Sequence, residues 1–272
     1  MNNPKLSCLC DGSFLEDAFQ YTSAPSGETA FDFGNTEYKR KYKKCKLCRH
    51  WFSDNKMDMD TMYNGQYAET TYGDRVQETY DRIMALPANC SDNTWRIERI
   101  KNFVKSNFDK DRTIRLLDVG SGLGVFPRAA LDAGWECTAI DPDSRAVAHM
   151  KEYVGVNAVQ GDFMAVKTLD KYEIITFNKV LEHVADPVAM LNHSKKFLVD
   201  DGVIYIELPD SEMAEKEGPG REEFFIEHLH VFSLASTILL ANQSELVPLQ
   251  VERLQEPSTK YTIFAFLNTY KV

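Results

Sequence analysis

The sequence predicts an α/β fold with a doubly wound, mostly parallel sheet that carries helices on both faces. The first observation is that residues 114–141 read as a strand, a glycine turn, a helix and a second strand. The second is that residues 202–208, GVIYIEL, form another strand pattern after a helix and a turn. The third is size, because 272 residues with 43% hydrophobic content can bury a substantial core.

The turn after the first of these strands has the composition of a ligand-binding turn. Gly120, Gly122 and Gly124 lack a Cβ atom, so the backbone can approach a ligand closely. Asp141, at the end of the next strand, can accept two hydrogen bonds from ribose hydroxyls, which indicates an adenosine-containing cofactor. The dinucleotide fingerprint requires a third glycine where this chain has Val125, so NAD is the second choice. The alternative without a ligand is a tight strand-to-helix turn.

The elements on either side of this unit follow from capping and periodicity. Ser91 or Asp92 is expected to cap a helix that runs to about residue 107 with its apolar face inward. The predicted inward side chains are Trp95, Ile97, Ile100 and Val104. A helix at about residues 234–242 and strands at about 246–254 and 261–267 are expected to complete the domain.

Asp118 and the three glycines form the pattern D-x-G-x-G-x-G, which resembles motif I of the class I S-adenosylmethionine-dependent methyltransferases. The resemblance continues in residues 161–163, GDF, after the third strand, and in residues 177–187, FNKVLEHVADP, after the fourth. It implies a Rossmann-like, seven-stranded sheet whose final strand is antiparallel, with S-adenosyl-L-methionine as the cofactor. The residues that it assigns to the cofactor are Asp118, Gly120, Gly122, Gly124, Asp141, Asp162, Phe163 and Asn178.

Four cysteines in the first 50 residues form a set of their own, with Cys8 close to Cys10 and Cys45 close to Cys48. Paired thiolates on two turns can complete a tetrahedral Zn²⁺ shell, which stabilises a segment too short to form its own core. The first pair departs from the usual two-residue spacing, so His50 is an alternative ligand. The other alternative is a module of buried or free thiols without metal.

A four-cysteine module ahead of such a domain is similar to the sugar C-methyltransferase family, whose members act on nucleotide-linked deoxysugars. The resemblance implies three parts: a zinc-binding-like module in residues 1–60, a linking, substrate-side segment in residues 61–89 and the methyltransferase domain in residues 90–272. It also implies a small-molecule acceptor, a sugar or a nucleotide sugar.

The stretch after the fifth strand is where the chain departs from that family. The family reads Y-H-E-H there, with the tyrosine and the last histidine in acid–base work, whereas this chain has Phe225, Ile226, Glu227 and His228. A phenyl ring cannot exchange a proton, so O-methylation is favoured and C-methylation of a nucleotide-linked ketodeoxysugar is the alternative. His228 is the predicted general base, and Glu227 either orients it or binds a substrate hydroxyl. His183 is the rival base.

Two further expectations concern this region. Residues 212–223, EMAEKEGPGREE, are charged and broken by glycine, which predicts a mobile flap with Arg221 either solvated or bound to a substrate phosphate. The replaced tyrosine is also compatible with an inactive cofactor-binding scaffold that recruits a partner in a biosynthetic complex.

Composition and motifs exclude several classes of partner. A net charge of -10 argues against a nucleic-acid backbone binder, which needs clustered Lys and Arg. No apolar run approaches the roughly 20 residues that span a bilayer, and the amino terminus lacks a signal-peptide core, so a cytoplasmic protein without membrane contact is expected. The N/D-P-P-Y/F motif of amino methyltransferases is replaced by residues 178–181, NKVL, which disfavours an exocyclic-amine substrate.

Overall fold

The computed structural model describes residues 14–31, 36–55 and 75–269, which form two sheets and the helices that cover the larger one. In chain order the strands are β1 (Leu15–Tyr21), β2 (Arg40–Cys45), β3 (Trp51–Asn55), β4 (Arg115–Val119), β5 (Glu136–Asp141), β6 (Asn157–Gln160), β7 (Tyr172–Asn178), β8 (Leu198–Pro209), β9 (His230–Val231), β10 (Leu246–Gln255) and β11 (Tyr261–Thr269).

The α-helices in the same ranges are α1 (Val76–Met84), α2 (Asp92–Asn107), α3 (Val125–Asp132), α4 (Ser144–His149), α5 (Pro187–Ser194), α6 (Ser211–Ala214) and α7 (Leu234–Gln243). A π-helical turn, Met150–Val154, extends α4. Short 3₁₀ turns lie at Ala88–Cys90, Phe163–Ala165, Leu181–His183, Lys195–Phe197, Glu215–Glu217 and Glu222–Phe224.

The large sheet has seven strands in the order β10-β11-β8-β7-β4-β5-β6. Neighbours from β6 to β8 pair in parallel, whereas β11 runs antiparallel to both β8 and β10. Helices α1 to α4 pack on one face, and α5 and α7 pack on the other, each over its own apolar cluster. The predicted doubly wound α/β sheet with an antiparallel final strand is therefore confirmed.

The small sheet joins the amino-terminal part of the chain to a loop of the large domain. Its order is β1-β2-β3-β9, and β9 comes from the segment that follows β8. In the β3–β9 pairing Trp51 lies opposite Val231, and Phe52 lies opposite His230. Trp51 is 1% exposed, because aromatic side chains from both parts enclose it. The strands of the predicted cysteine module are thus completed by a strand from the large domain.

Helix α2 has the predicted length, but its buried side chains differ in part from those predicted. Ser91 caps it by accepting a hydrogen bond from the backbone N–H of Thr94, and Ile97 and Ile100 are buried. Trp95, predicted inward, is 45% exposed, and Phe103 is buried instead. The bulk of the indole suggested burial, but the position lies off the stripe that the two isoleucines define.

Residues 212–223 do not have the features of the predicted flap, because they are tied down on both sides. Lys44 pairs with Glu215 at 2.6 Å, and the Tyr21 hydroxyl donates to the carbonyl oxygen of Pro219 at 2.9 Å. Arg221 is bonded to Glu223 through two of its nitrogens, at 3.0 and 2.9 Å. The guanidinium is therefore held by Glu223 and by the carbonyl oxygen of Thr259 and is not the solvated side chain that was one of the two expectations; phosphate binding by Arg221 stays a prediction.

A membrane-spanning helix would need a long apolar stretch, and none of the helices in the three described ranges is long and apolar enough to cross a bilayer.

Candidate functional site

The glycine turn after β4 is a backbone surface that side chains cannot occupy. Gly120 and Gly124 have φ values of 72° and 75°, in the left-handed region. A Cβ atom on Gly120 would lie 2.7 Å from Cγ2 of Val180, and one on Gly124 would lie 2.7 Å from Cγ of Met150. Any side chain at either position would displace its neighbour, so both the backbone angles and the packing require glycine in this turn, which leads into α3.

Asp141 closes the far side of this turn, at the carboxyl end of β5. One carboxylate oxygen accepts a hydrogen bond from the Gly122 N–H at 2.8 Å, and the other accepts from the Asp143 N–H at 2.9 Å. Burial raises the pKa of Asp141 despite these two donors. Each oxygen has a second lone pair, so the carboxylate can still accept from the two hydroxyls of a ribose.

Asp118 lies beneath the turn and is linked to the next strand. Its Oδ1 accepts from the Thr176 hydroxyl at 2.6 Å and from the Asn178 side-chain amide at 2.8 Å. Burial raises the pKa of Asp118 to about 6. The Oδ1 atom of Asn178 is buried, and no donor among the described residues reaches it. A buried carboxyl beside an unsatisfied amide oxygen fits the ammonium group of a methionine moiety, which would supply the missing donor.

Asp162 and Phe163 occupy the turn after β6, the third site that the sequence assigned to a cofactor. The Asp162 carboxylate caps this turn by accepting from the Met164 N–H at 2.9 Å. The Phe163 ring is buried in the core, edge-on to Phe177 and His193. Only the backbone of Phe163 could therefore contact a nucleobase, since its ring packs inward.

A second cluster lies at the same edge of the sheet, where two segments meet. Glu182, His183 and His228 each offer a ligand atom, and the three atoms lie within 4.8 Å of one another. We call these three side chains the EHH cluster. Glu182 and His183 belong to the 3₁₀ turn after β7, and His228 belongs to the loop that follows β8. The two imidazole rings are 4.9 Å apart between centroids.

Hydrogen bonds to backbone carbonyls fix the orientation of both rings in the EHH cluster. Nδ1 of His183 is 2.9 Å from the carbonyl oxygen of Glu227, and Nδ1 of His228 is 2.8 Å from the carbonyl oxygen of Glu223. A carbonyl can only accept, so each Nδ1 carries the proton and each Nε2 carries a lone pair. Burial lowers the pKa of both histidines, and it raises the pKa of Glu182 to about 7.

The sequence predicted His183 and His228 as site residues but did not name Glu182. The carbonyl of Glu227 orients the ring of His183, and the predicted role of the Glu227 carboxylate stays a prediction. Glu182 is wholly buried beside the two imidazoles. Its place in the L-E-H sequence was the available signal, since a carboxyl next to a candidate base is a common partner in acid–base sites.

The amino-terminal part of the chain holds the loop that carries His228. The Tyr42 hydroxyl lies 3.0 Å from the Phe225 carbonyl oxygen and 2.7 Å from that of His228, so one proton serves two acceptors. Glu28 accepts from the Ile226 N–H at 2.8 Å and pairs with the buried Arg40 at 2.6 Å. These contacts position His228 from outside the large domain.

Of the four cysteines in the predicted metal site, the structure describes only Cys45 and Cys48. Cys8 and Cys10 lie outside the described residues. Cys45 and Cys48 are buried side by side after β2. In the described part of the chain no third metal ligand lies within reach of that pair. His50, the alternative ligand, uses Nε2 to meet His230 at 3.0 Å and Nδ1 to meet Ser236 at 3.1 Å, so its nitrogens are engaged elsewhere.

Comparison with known sequences identifies one family. A family model described as a methyltransferase domain matches residues 93–251, more than half of the chain. Among curated proteins, the ubiquinone biosynthesis O-methyltransferase of Actinobacillus pleuropneumoniae serotype 5b (strain L20) is 27% identical over 124 residues, which cover 42% of this chain and 51% of the relative. The chain spans about half the length of the curated relatives that it matches.

Comparison with solved structures supports the fold. Magnesium protoporphyrin IX methyltransferase from Synechocystis PCC 6803, with bound SAH, has a TM-score of 0.57 at 11% identity and covers 76% of this chain and 100% of its own. The glycopeptide N-methyltransferase MtfA, complexed with S-adenosyl-L-methionine, has a TM-score of 0.52 at 15% identity and covers 64% of this chain and 94% of its own.

Replacing Asp118 with Asn should change how stability depends on pH. Burial raises the pKa of Asp118 from 3.8 to about 6, so the folded protein holds this proton more tightly than the unfolded chain does. The native protein therefore loses stability from this group as pH rises from about 4 to about 6. Asp118→Asn has no such loss and should be more stable above pH 6 by about 3 kcal/mol.

Urea denaturation of both proteins across that pH range measures this difference. The free energies of unfolding should converge near pH 4 and separate above pH 6. Parallel curves over the whole range would contradict the raised pKa.

Proposed function

This chain belongs to the methyltransferase-domain family, and on that premise we propose that it methylates a hydroxyl oxygen of a small polyhydroxylated acceptor, a sugar or nucleotide sugar, with S-adenosyl-L-methionine as the methyl donor. The observation that carries the proposal is the position of the EHH cluster. Its two neutral imidazoles lie at the carboxyl ends of β7 and β8, the edge of the sheet at which the glycine turn also opens. In open parallel sheets this edge faces the ligand crevice.

The residues around the glycine turn would bind the cofactor. Asp141 would accept hydrogen bonds from the ribose, and the pair Asp118 and Asn178 would receive the methionine ammonium, for which Asn178 Oδ1 has an unused acceptor position. When bound, S-adenosyl-L-methionine supplies a methyl group made electrophilic by the sulfonium. The protein then has mainly to align the acceptor oxygen with that carbon.

The EHH cluster can accept the proton that the acceptor hydroxyl must lose. Nε2 of His228 carries a lone pair, because Nδ1–H is held by the Glu223 carbonyl. The lowered pKa keeps this ring neutral at physiological pH and ready to accept a proton as the oxygen attacks. His183 is the second neutral imidazole within reach, and Glu182 can stabilise a ring that has become charged.

Oxygen is the favoured acceptor atom for two reasons. Phe225 stands where the sugar C-methyltransferases have a tyrosine, and a phenyl ring cannot assist the removal of a carbon-bound proton. The curated relatives are named O-methyltransferases, although they match over less than half of this chain. The preference for a sugar rests on the resemblance of the amino-terminal cysteine module to that family.

A structural zinc ion is the second part of the proposal. Cys45 and Cys48 are buried neighbours, as two thiolates of one metal shell must be, and Cys8 and Cys10 would complete the four ligands. Metal analysis of protein purified without added zinc should give about one Zn²⁺ per chain, and Cys45→Ser should abolish it. A zinc-free protein with all four thiols reactive would refute this part.

Replacing His228 with Asn tests the assignment of the base. The Asn side-chain amide can keep the hydrogen bond to the Glu223 carbonyl, but it has no lone pair at the Nε2 position. Methyl transfer from labelled S-adenosylmethionine to a panel of nucleotide sugars should fall by about 100-fold or more. The affinity for S-adenosylhomocysteine, measured by calorimetry, should not change.

His193→Asn is the matched control, since it removes a partly buried imidazole that is bonded to the Val166 carbonyl and lies outside the EHH cluster. Its turnover should stay within about threefold of the native value. Undiminished turnover in His228→Asn would reject the base assignment. Binding of NAD in place of S-adenosylhomocysteine would reject the cofactor and, with it, the proposed reaction.

A further inference from the structure

Glu182 is the least satisfied charged group of the EHH cluster. Its side chain is wholly buried, and neither carboxylate oxygen has a hydrogen-bond partner among the residues that the structure describes. An ionised carboxylate without a donor costs several kcal/mol in such a place. The fold nevertheless holds this carboxyl against two imidazoles, which is the surrounding that a bound cation would require.

Backbone carbonyls hold the two histidines in the same tautomer. Each Nδ1–H is directed at a backbone carbonyl, Glu227 for His183 and Glu223 for His228. This leaves Nε2 of each ring as a donor of electrons. Metal-bound histidines have this arrangement, because a carbonyl on the second ring nitrogen fixes the tautomer and increases the basicity of the first.

We propose that Glu182, His183 and His228 bind a divalent metal ion and that its open positions take two adjacent oxygens of the methyl acceptor. Two imidazoles and a carboxylate form a three-sided ligand set that suits first-row transition ions and leaves positions for other oxygens. The ligand atoms, which lie within 4.8 Å, would close further on an ion through side-chain rotation. The second half of the proposal rests on the proposed function, since it requires a polyhydroxylated acceptor.

Such an ion would change the part that His228 plays. As a ligand, Nε2 no longer takes the acceptor proton; the ion instead lowers the pKa of the bound hydroxyl, as it does for bound water. The O–H bond breaks with its electron pair left on oxygen, and the proton passes to solvent. The oxygen then forms its bond to the methyl carbon as the carbon–sulfur bond breaks, with that electron pair remaining on sulfur. Two adjacent acceptor oxygens would fix the one that reacts.

Lys179 is the cation that opposes the ion. It follows β7 with a φ of 60°, a strained conformation for a lysine, and its Nζ donates to the Thr262 hydroxyl at 2.5 Å. Its charge lowers the pKa of both histidines, and Lys260 acts on His228 in the same direction. Glu207 and Glu227 supply opposing negative charge nearby. Removing the ammonium should therefore strengthen metal binding.

Titration with Mn²⁺, followed by the electron paramagnetic resonance of the free ion, tests the site directly. Mn²⁺ prefers oxygen and nitrogen to thiolates, so the cysteine set does not contribute. The native chain should bind one Mn²⁺. The spectrum of the bound ion should show coupling to the nitrogen nuclei of the histidine ligands. Glu182→Gln and His228→Asn should weaken binding by about 100-fold, and Lys179→Met should strengthen it by about threefold.

Glu256→Gln is the matched control, because Glu256 is also buried, has an unsatisfied oxygen and has a pKa raised to about 7, but lies outside the EHH cluster. It should bind Mn²⁺ like the native chain. No binding by the native chain at millimolar Mn²⁺, or equal binding by Glu182→Gln, would overturn the site.

Activity separates this proposal from the proposed function. If a chelator abolishes methyl transfer and added Mn²⁺ restores it, the result supports the role of the ion. Full transfer in chelator by protein shown to be metal-free would overturn that role and leave His228 as the base. Mn²⁺ bound as predicted, without transfer to any hydroxylated acceptor, would support the site and contradict the proposed function.

Discussion

The hydroxyl of Tyr42 is the contact on which the proposed acceptor side of this protein depends. It is wholly buried in the small sheet, and it reaches the carbonyl oxygens of Phe225 and His228 at the two ends of one short loop segment. Backbone carbonyls away from water require donors, and Tyr42 supplies one to this segment from the small sheet. A residue from the amino-terminal strands therefore determines where a candidate catalytic imidazole lies in the large domain.

The two halves of the site are built by different means. The cofactor half is local: a turn, its helix and the next strand bring Gly122 and Asp141 together within one βαβ unit. The acceptor half is assembled over long sequence separations, with Glu182 after β7, His228 after β8 and their support from β2. The glycine turn and β5 do not depend on the loop that carries His228. The sequence of that loop can therefore change while the cofactor half stays the same.

The sequence could predict what is local and not what is assembled. The glycine turn and the mostly parallel sheet with its antiparallel final strand followed from short motifs, and the sheet is as expected. Trp95 was predicted to point inward, but it lies off the stripe that Ile97 and Ile100 define and is exposed. The hold of Tyr42 and Glu28 on the loop has no periodic signal, since it joins residues more than 180 positions apart. Glu182 could have been found from the L-E-H run, but its approach to His228 has no periodic signal, because the two follow different strands.

Amide hydrogen–deuterium exchange of Tyr42→Phe tests most directly whether the amino-terminal sheet holds the acceptor loop. Phe keeps the buried ring and removes only the shared donor. Amides of residues 223–231 should exchange about tenfold faster than in the native chain, because the carbonyl oxygens of Phe225 and His228 lose the donor that they share. Amides of residues 118–124 should keep their rates. Unchanged exchange in residues 223–231, or equal acceleration in both segments, would contradict the claim.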